Sequence, residues 1–254
     1  MATHEVLRST IHHIHDVWGQ PLRVAVTGGT SGLGLALVRE FSKSGAHVAF
    51  VARHRDAVER VMHELPRGHG IVGDVSRKEQ TYAIAMQVLW ALGGVDVLIN
   101  NASSLGPVPL ALLADTQCED LEQALATNLL GPFRLTKALL GSLAASARES
   151  RGALVVNISS DAAMNAYPTW GAYGASKAAL HHLSRIWHEE LAPSGIRVLS
   201  FDPGDMDTPL HALAIPNADP SELKRPETSA QELVDLVTSM VCDATRIPKP
   251  LEAM

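Results

Sequence analysis

The stretch "RVAVTGGTSGLGLALVREF", residues 23–41, decides the fold. It opens on a β-branched apolar run, passes through a glycine-rich octapeptide, Thr27–Gly34, and continues into apolar residues at three-to-four-residue spacing. A strand that feeds a helix through glycines is the sequence form of a phosphate-binding turn. Gly28 suits the tight turn, Gly32 lets backbone approach a pyrophosphate, and Gly34 lets the helix pack close to the sheet. Thr30, Ser31 and Leu33 complete the loop, and the helix that follows offers free N–H groups and the positive end of its dipole.

Working outward, the same strand-then-helix rhythm recurs. "LRVAVTGG", "AHVAFVA", "GIVGDV", "VDVLINNA", "GALVVNISS" and "IRVLSFDPG" are each followed by a helical pattern. Their alternating positions are apolar on both sides, as in a parallel sheet covered by helices on both faces. The expected architecture is α/β: one doubly wound Rossmann-type domain, about residues 21–254, with a sheet of six parallel strands. No repeat or long Gly/Ser linker divides it.

Two regions break the rhythm. Residues 1–20 place Leu7, Ile11, Ile14 and Trp18 at helical spacing, which predicts a short N-terminal helical extension. Residues 204–229 hold four of the 14 prolines and follow the sixth strand, where α/β sheets bind ligands; a substrate lid is expected there.

Composition narrows the function classes. The 254 residues are 46% hydrophobic and 19% charged, with a net charge of −6 and no basic run, which argues against nucleic acid or an anionic membrane as partner. Cys118 and Cys242 stand far apart, without metal or redox spacing, and fit a reducing compartment. No apolar run reaches the ~18 residues of a membrane span, and His4, Glu5, Arg8 and Asp16 occupy the place of a signal peptide's apolar core, so a cytoplasmic location is expected. His12, His13 and His15 do not share one helical face, and no metal site is expected.

"YGASK", residues 173–177, carries the chemistry. Residues i and i+4 share a helix face, so Tyr173 and Lys177 project into one space, with only small side chains between them. A free tyrosine has a pKa of about 10, and a nearby ammonium favours its phenolate. The pair therefore reads as an acid/base, with Lys177 expected to bring the Tyr173 phenol down.

The glycine spacing G-x-x-x-G-x-G resembles that of the short-chain dehydrogenase/reductase family, and "NNA" at 100–102, Asn128, "NISS" ending at Ser160, "YGASK" and "DPGDMDT" at 202–208 match the family's motifs in order. A fainter likeness, in "NNASSLG" and "WGAYGASKAA", is to the sepiapterin reductase branch. The resemblance implies an oxidoreductase that interconverts a carbonyl and an alcohol. It implies Tyr173 as general acid/base, Ser160 on the substrate oxygen, Lys177 on the nicotinamide ribose, and Asn128 holding a water for proton relay. It implies cofactor contacts at Asn101 and Ala102, at Asp74 and Val75 beside the adenine, and at Pro203, Gly204, Met206 and Thr208 on the nicotinamide side.

Where NAD-dependent relatives carry an acid at the end of the second strand, this chain has Ala52, followed by Arg53. A guanidinium there suits a 2′-phosphate, so NADP(H) is expected, with NAD(H) as the second candidate. The substrate pocket is expected among Ser104, Leu105, Asp161, Met164, Tyr167, Trp170, Asp205, Met206 and His211, taking a small-molecule carbonyl or alcohol, medium-sized and polar or aromatic. The sequence departs from the family at Ser103, where glycine is usual, and ends in "DATRIPKPLEAM" without a glycine-rich last strand. A homodimer through the helices near 118–147 and 172–192 is expected, with a tetramer as the alternative. A dinucleotide-binding regulator without catalysis, and a dehydratase or epimerase with tightly held NAD, are the other readings of the same motifs.

Overall fold

The computed structural model describes residues 20–65 and 67–246. Six strands form one parallel sheet: β1 (Arg23–Thr27), β2 (His47–Ala52), β3 (His69–Val72), β4 (Val97–Asn100), β5 (Leu154–Ile158) and β6 (Arg197–Phe201). Their order is β3-β2-β1-β4-β5-β6. The six runs picked out in the sequence are these six strands. Each is four to six residues long; the central strands β1, β2, β4 and β5 are apolar on both faces because helices cover both, whereas the edge strand β3 buries only Ile71.

The helices are α1 (Gly32–Lys43), α2 (Arg55–Glu64), α3 (Thr81–Leu92), α4 (Cys118–Leu125), α5 (Gly131–Arg148), α6 (Gly171–Leu191), α7 (Pro209–Ala214) and α8 (Pro226–Arg246). One core layer packs Leu37, Phe41, Phe50 and Val237 of α1, β2 and α8 against the sheet. The other packs Val88, Leu139, Leu143 and Trp187 of α3, α5 and α6.

The amino ends of the strands are tied by a buried carboxylate. Asp96, just before β4, accepts from Arg23 Nη2 at 2.6 Å, Arg151 Nη2 at 2.9 Å and Ser146 Oγ at 2.7 Å. Burial alone would raise its pKa, but the hydrogen bonds from Arg23, Arg151 and Ser146 together hold it below the ordinary carboxylate range. The carboxyl ends are left free to build a site. β1 and β4 are neighbours while their helices leave in opposite directions, and this switch point opens the crevice in which open α/β sheets bind ligands.

Residues 204–229, expected as a loop-rich stretch, carry regular structure. They contain α7 and a bridge between Met206 and Lys224, and α8 already begins at Pro226. Proline at the first helical position lacks only an N–H that would be unpaired there anyway, so Pro226 starts the helix where the sequence suggested loop. Ser229 is buried inside α8 and donates to the Pro203 carbonyl at 2.9 Å. Among the described residues no strand follows β6. The apolar stripe of Leu7, Ile11, Ile14 and Trp18 and the histidines at 12, 13 and 15 lie outside the described residues, as do residues 247–254. Among the described residues no helix is long and apolar enough to cross a membrane.

Candidate active site

The glycine loop turns as its spacing predicts. Gly28 has φ +71°, a left-handed conformation that favours glycine, and its N–H donates to the Val51 carbonyl at 2.8 Å. A Cβ on Gly34 would collide with the Gly28 carbonyl and the Asn101 amide, so only glycine lets α1 start this close to β1 and β4. Ser31 at the N-cap makes no side-chain hydrogen bond to the first turn of α1. The helix therefore presents N–H groups and its positive dipole end to the crevice, a cradle that fits a pyrophosphate. The Thr27 hydroxyl accepts from the N–H groups of Asn101 and Ala102, both at 3.0 Å, and joins the end of β4 to this loop.

From the loop a cavity of about 690 Å³ runs to α7. It is lined by Gly28, Thr30, Ser31, Gly32, Leu33 and Gly34, by Arg53, Asp74, Val75, Asn101 and Ala102, and by Pro203, Gly204, Met206 and Thr208. Ser160, Tyr173 and Lys177 face it, together with Asp161, Tyr167, Trp170, Asp205 and His211. Asp74 Oδ1 accepts from Ser76 N at 2.9 Å and Ser76 Oγ at 2.7 Å, closing a turn after β3. Thr208 caps α7, accepting from His211 N at 3.2 Å, and its methyl group lies close against Gly32. Arg53 lies beside Ala52 at the end of β2.

Two expected pocket residues fall elsewhere. Met164 is 74% exposed and outside the cavity lining. Ser104 is engaged by Asn128 through its backbone, N–H to Oδ1 at 2.8 Å and C=O from Nδ2 at 2.7 Å.

Tyr173 and Lys177 lie in the first two turns of α6, both buried, with the ammonium 5.5 Å from the phenol ring centre. Lys177 Nζ donates to the Ile158 carbonyl at the end of β5 at 2.7 Å. Between them in sequence, Ser176 donates to the Tyr173 carbonyl at 2.7 Å and accepts from Asn128 Nδ2 at 2.8 Å. Asn128 is fully buried in a π-turn, Ala126–Leu130, that links α4 to α5. π-turns inside helices displace one residue out of register, and here the displaced segment carries the asparagine that ties α6 to the loop after β4.

Burial pushes the Tyr173 phenol up to about 12, against the hydrogen bond from Ser160 and with the Asp202 carboxylate adding to the rise. Burial likewise pushes the Lys177 ammonium down to about 8, and Asp202 partly restores it. The expected lowering of the phenol by Lys177 is thus reversed among the protein's own groups, because desolvation disfavours the phenolate more than its neighbours support it. Tyr173 therefore keeps its proton near neutral pH.

Ser160, two residues past β5, caps a short 3-10 turn, Asp161–Ala163, with its Oγ accepting from Ala162 N at 3.2 Å and donating to Asp161 Oδ1 at 3.1 Å. Tyr167 OH donates to Asp161 Oδ2 at 2.6 Å, and that bond raises the Tyr167 pKa. Sequence reasoning assigned nothing to Asp202, which reaches both Tyr173 and Lys177 electrostatically, or to the Ser103 hydroxyl, which favours the Tyr173 phenolate and bonds Asn128 Oδ1 at 3.3 Å. "DPG" and "NNAS" were the signals available. Among the described residues no cluster of three His, Cys, Asp or Glu side chains could hold a metal.

The short chain dehydrogenase family model matches residues 23–218. Bovine L-fucose dehydrogenase is 33% identical over 211 residues, covering 83% of this chain and 76% of that protein. An uncharacterized oxidoreductase of Mycobacterium tuberculosis is 33% identical over 225 residues, 87% of this chain and 82% of its own length. Among solved structures, a Brucella melitensis 3-ketoacyl-(acyl-carrier-protein) reductase complexed with NADH superposes with a TM-score of 0.79 at 25% identity, covering 88% and 92% of the two chains. A Thermococcus sibiricus alcohol dehydrogenase complexed with 5-hydroxy-NADP does so with 0.76 at 27%, covering 91% and 93%. The chain belongs to the short-chain dehydrogenase/reductase family, and it is an oxidoreductase with the family's nicotinamide-dinucleotide fold.

Proposed function

We propose that the protein interconverts a small carbonyl and its alcohol with NADP(H), and that Tyr173 moves the proton. The observation that carries this reading is the buried Tyr173–Lys177 pair facing the same cavity as Ser160 and the glycine cradle. When bound, the dinucleotide supplies or accepts the hydride. In reduction Tyr173 gives its phenolic proton to the carbonyl oxygen while Ser160 Oγ turns from Asp161 to hydrogen-bond that oxygen as charge develops. Lys177, lining the same cavity, favours the phenolate left behind and holds ribose hydroxyls. Asn128 acts by position: all its described polar contacts go to Ser103, Ser104 and Ser176, so it fixes α6 against the loop after β4.

Arg53 supports the choice of NADP(H). It lines the cavity beside Ala52 at the end of β2, where a guanidinium would pair with a 2′-phosphate and where Ala52 offers no acid to a ribose hydroxyl. Residues 204–225 form the substrate lid, and the homodimer contact is assigned to α4, α5 and α6, on which Ile186 is exposed. The test is oxidation of NADPH and of NADH against a panel of ketones, aldehydes and hydroxyketones, with Tyr173→Phe alongside. Turnover that prefers NADPH and vanishes in the variant is expected; turnover that survives in it contradicts the assignment.

A further inference from the structure

Resting on the oxidoreductase reading, we propose that Asp161 is a specificity-determining residue and that the site takes a neutral substrate with a hydroxyl on the carbon next to the reacting one, a vicinal diol or its α-hydroxy carbonyl.

Asp161 follows Ser160 directly and its Oδ1 is 3.1 Å from the Ser160 hydroxyl that would meet the reacting oxygen. Vicinal oxygens are themselves about a hydrogen-bond length apart, so a neighbouring hydroxyl would arrive at this carboxylate when the reacting oxygen reaches Ser160 and Tyr173. The carboxylate is held for that task by Tyr167 OH at 2.6 Å. Its charge opposes the negative charge that develops on the reacting oxygen, and it raises the Tyr173 pKa, so it hinders proton transfer and is explained by recognition.

Charge selects the neutral class. A substrate carboxylate would meet Asp161, Asp202 and Asp205, which all line the cavity. An ammonium would meet Lys177. A hydroxyl donates to Asp161 and still accepts, which an ammonium cannot do. The cavity lining also has an apolar part: Leu105, Trp170 and Leu210 pack with Tyr173, whose ring meets Trp170 edge-on at 5.6 Å. That face suits the C–H side of a small ring whose rim carries hydroxyls.

The experiment compares kcat/KM for trans-1,2-cyclohexanediol, cyclohexanol and 2-aminocyclohexanol with NADP⁺, in wild type, Asp161→Ala, Asp161→Asn and Tyr173→Phe, and measures diol binding by calorimetry. The expected result is a diol-to-cyclohexanol preference of about tenfold or more in wild type, falling towards one in Asp161→Ala and part-way in Asp161→Asn. Diol binding should weaken in parallel. Equal use of diol and cyclohexanol, a preference that survives Asp161→Ala, preference for the amino alcohol, or no binding of the diol overturns the proposal. If the first of these occurs and Tyr173→Phe is inert, the oxidoreductase reading stands alone. If wild type binds the diol through Asp161 but oxidises nothing, the recognition proposal stands and the catalytic reading falls.

Discussion

Lys177 Nζ lies 5.5 Å from the centre of the Tyr173 ring, and both side chains are almost fully buried, at 2% and 8% exposure. An ammonium in that position is costly to hold. Its depression from 10.5 to about 8 corresponds to roughly 3 kcal/mol at neutral pH, at about 1.36 kcal/mol for each pH unit. Lys177→Met is therefore expected to melt at or above the wild-type temperature at pH 7 while losing activity. Because the folded pKa is the lower one, the wild type gains stability as pH rises from about 8 towards 10.5, and the gap between the two proteins should close over that range. A variant that melts well below wild type at pH 7 would show that the lysine is structural.

The same two groups set the pH dependence of reduction. Tyr173, at about 12, keeps its proton throughout the working range, whereas Lys177 loses its charge near 8. Carbonyl reduction should be level in acid and decline above about pH 8. A profile that stays level to pH 10 would exclude a role for the Lys177 charge.

At the other end of the cavity Arg53 is expected to read the cofactor. Arg53→Ala should weaken NADPH binding about 10- to 100-fold, the range of a lost charge-assisted contact, and leave NADH little changed. Equal losses for the two cofactors would remove Arg53 from phosphate recognition.

Asp96 tests the fold independently of the site. With Arg23 and Arg151 as partners its folded pKa is depressed, so its contribution is present above the ordinary carboxylate value of about 4 and is lost as pH falls through the lower folded one. Asp96→Asn should cost about 3 kcal/mol at pH 7, seen in urea unfolding, and should lose less than wild type on acidification below pH 4.

Much of this was legible in the sequence, and the parts that were not share a cause. The strands, the glycine loop and the Tyr173–Lys177 spacing are local patterns, set by periods of two and four residues and by the backbone freedom of Gly28. The Asp96 cluster joins residues 73 and 55 positions apart, and Asn128 reaches Ser176 across 48, distances over which periodicity carries no information. The direction of the Tyr173 shift was missed because spacing reveals a neighbouring ammonium but not the burial of both groups. The start of α8 was not legible because Pro226 reads as loop in sequence and opens a helix in the structure.

The most direct test of the account is single-turnover hydride transfer from NADPH, followed by absorbance, in wild type and Tyr173→Phe with cofactor affinity measured in parallel. A fall of roughly 10²–10⁴ in the transfer rate with NADPH affinity nearly unchanged is the predicted result. Transfer at the wild-type rate in Tyr173→Phe would contradict it and move the proton to another group.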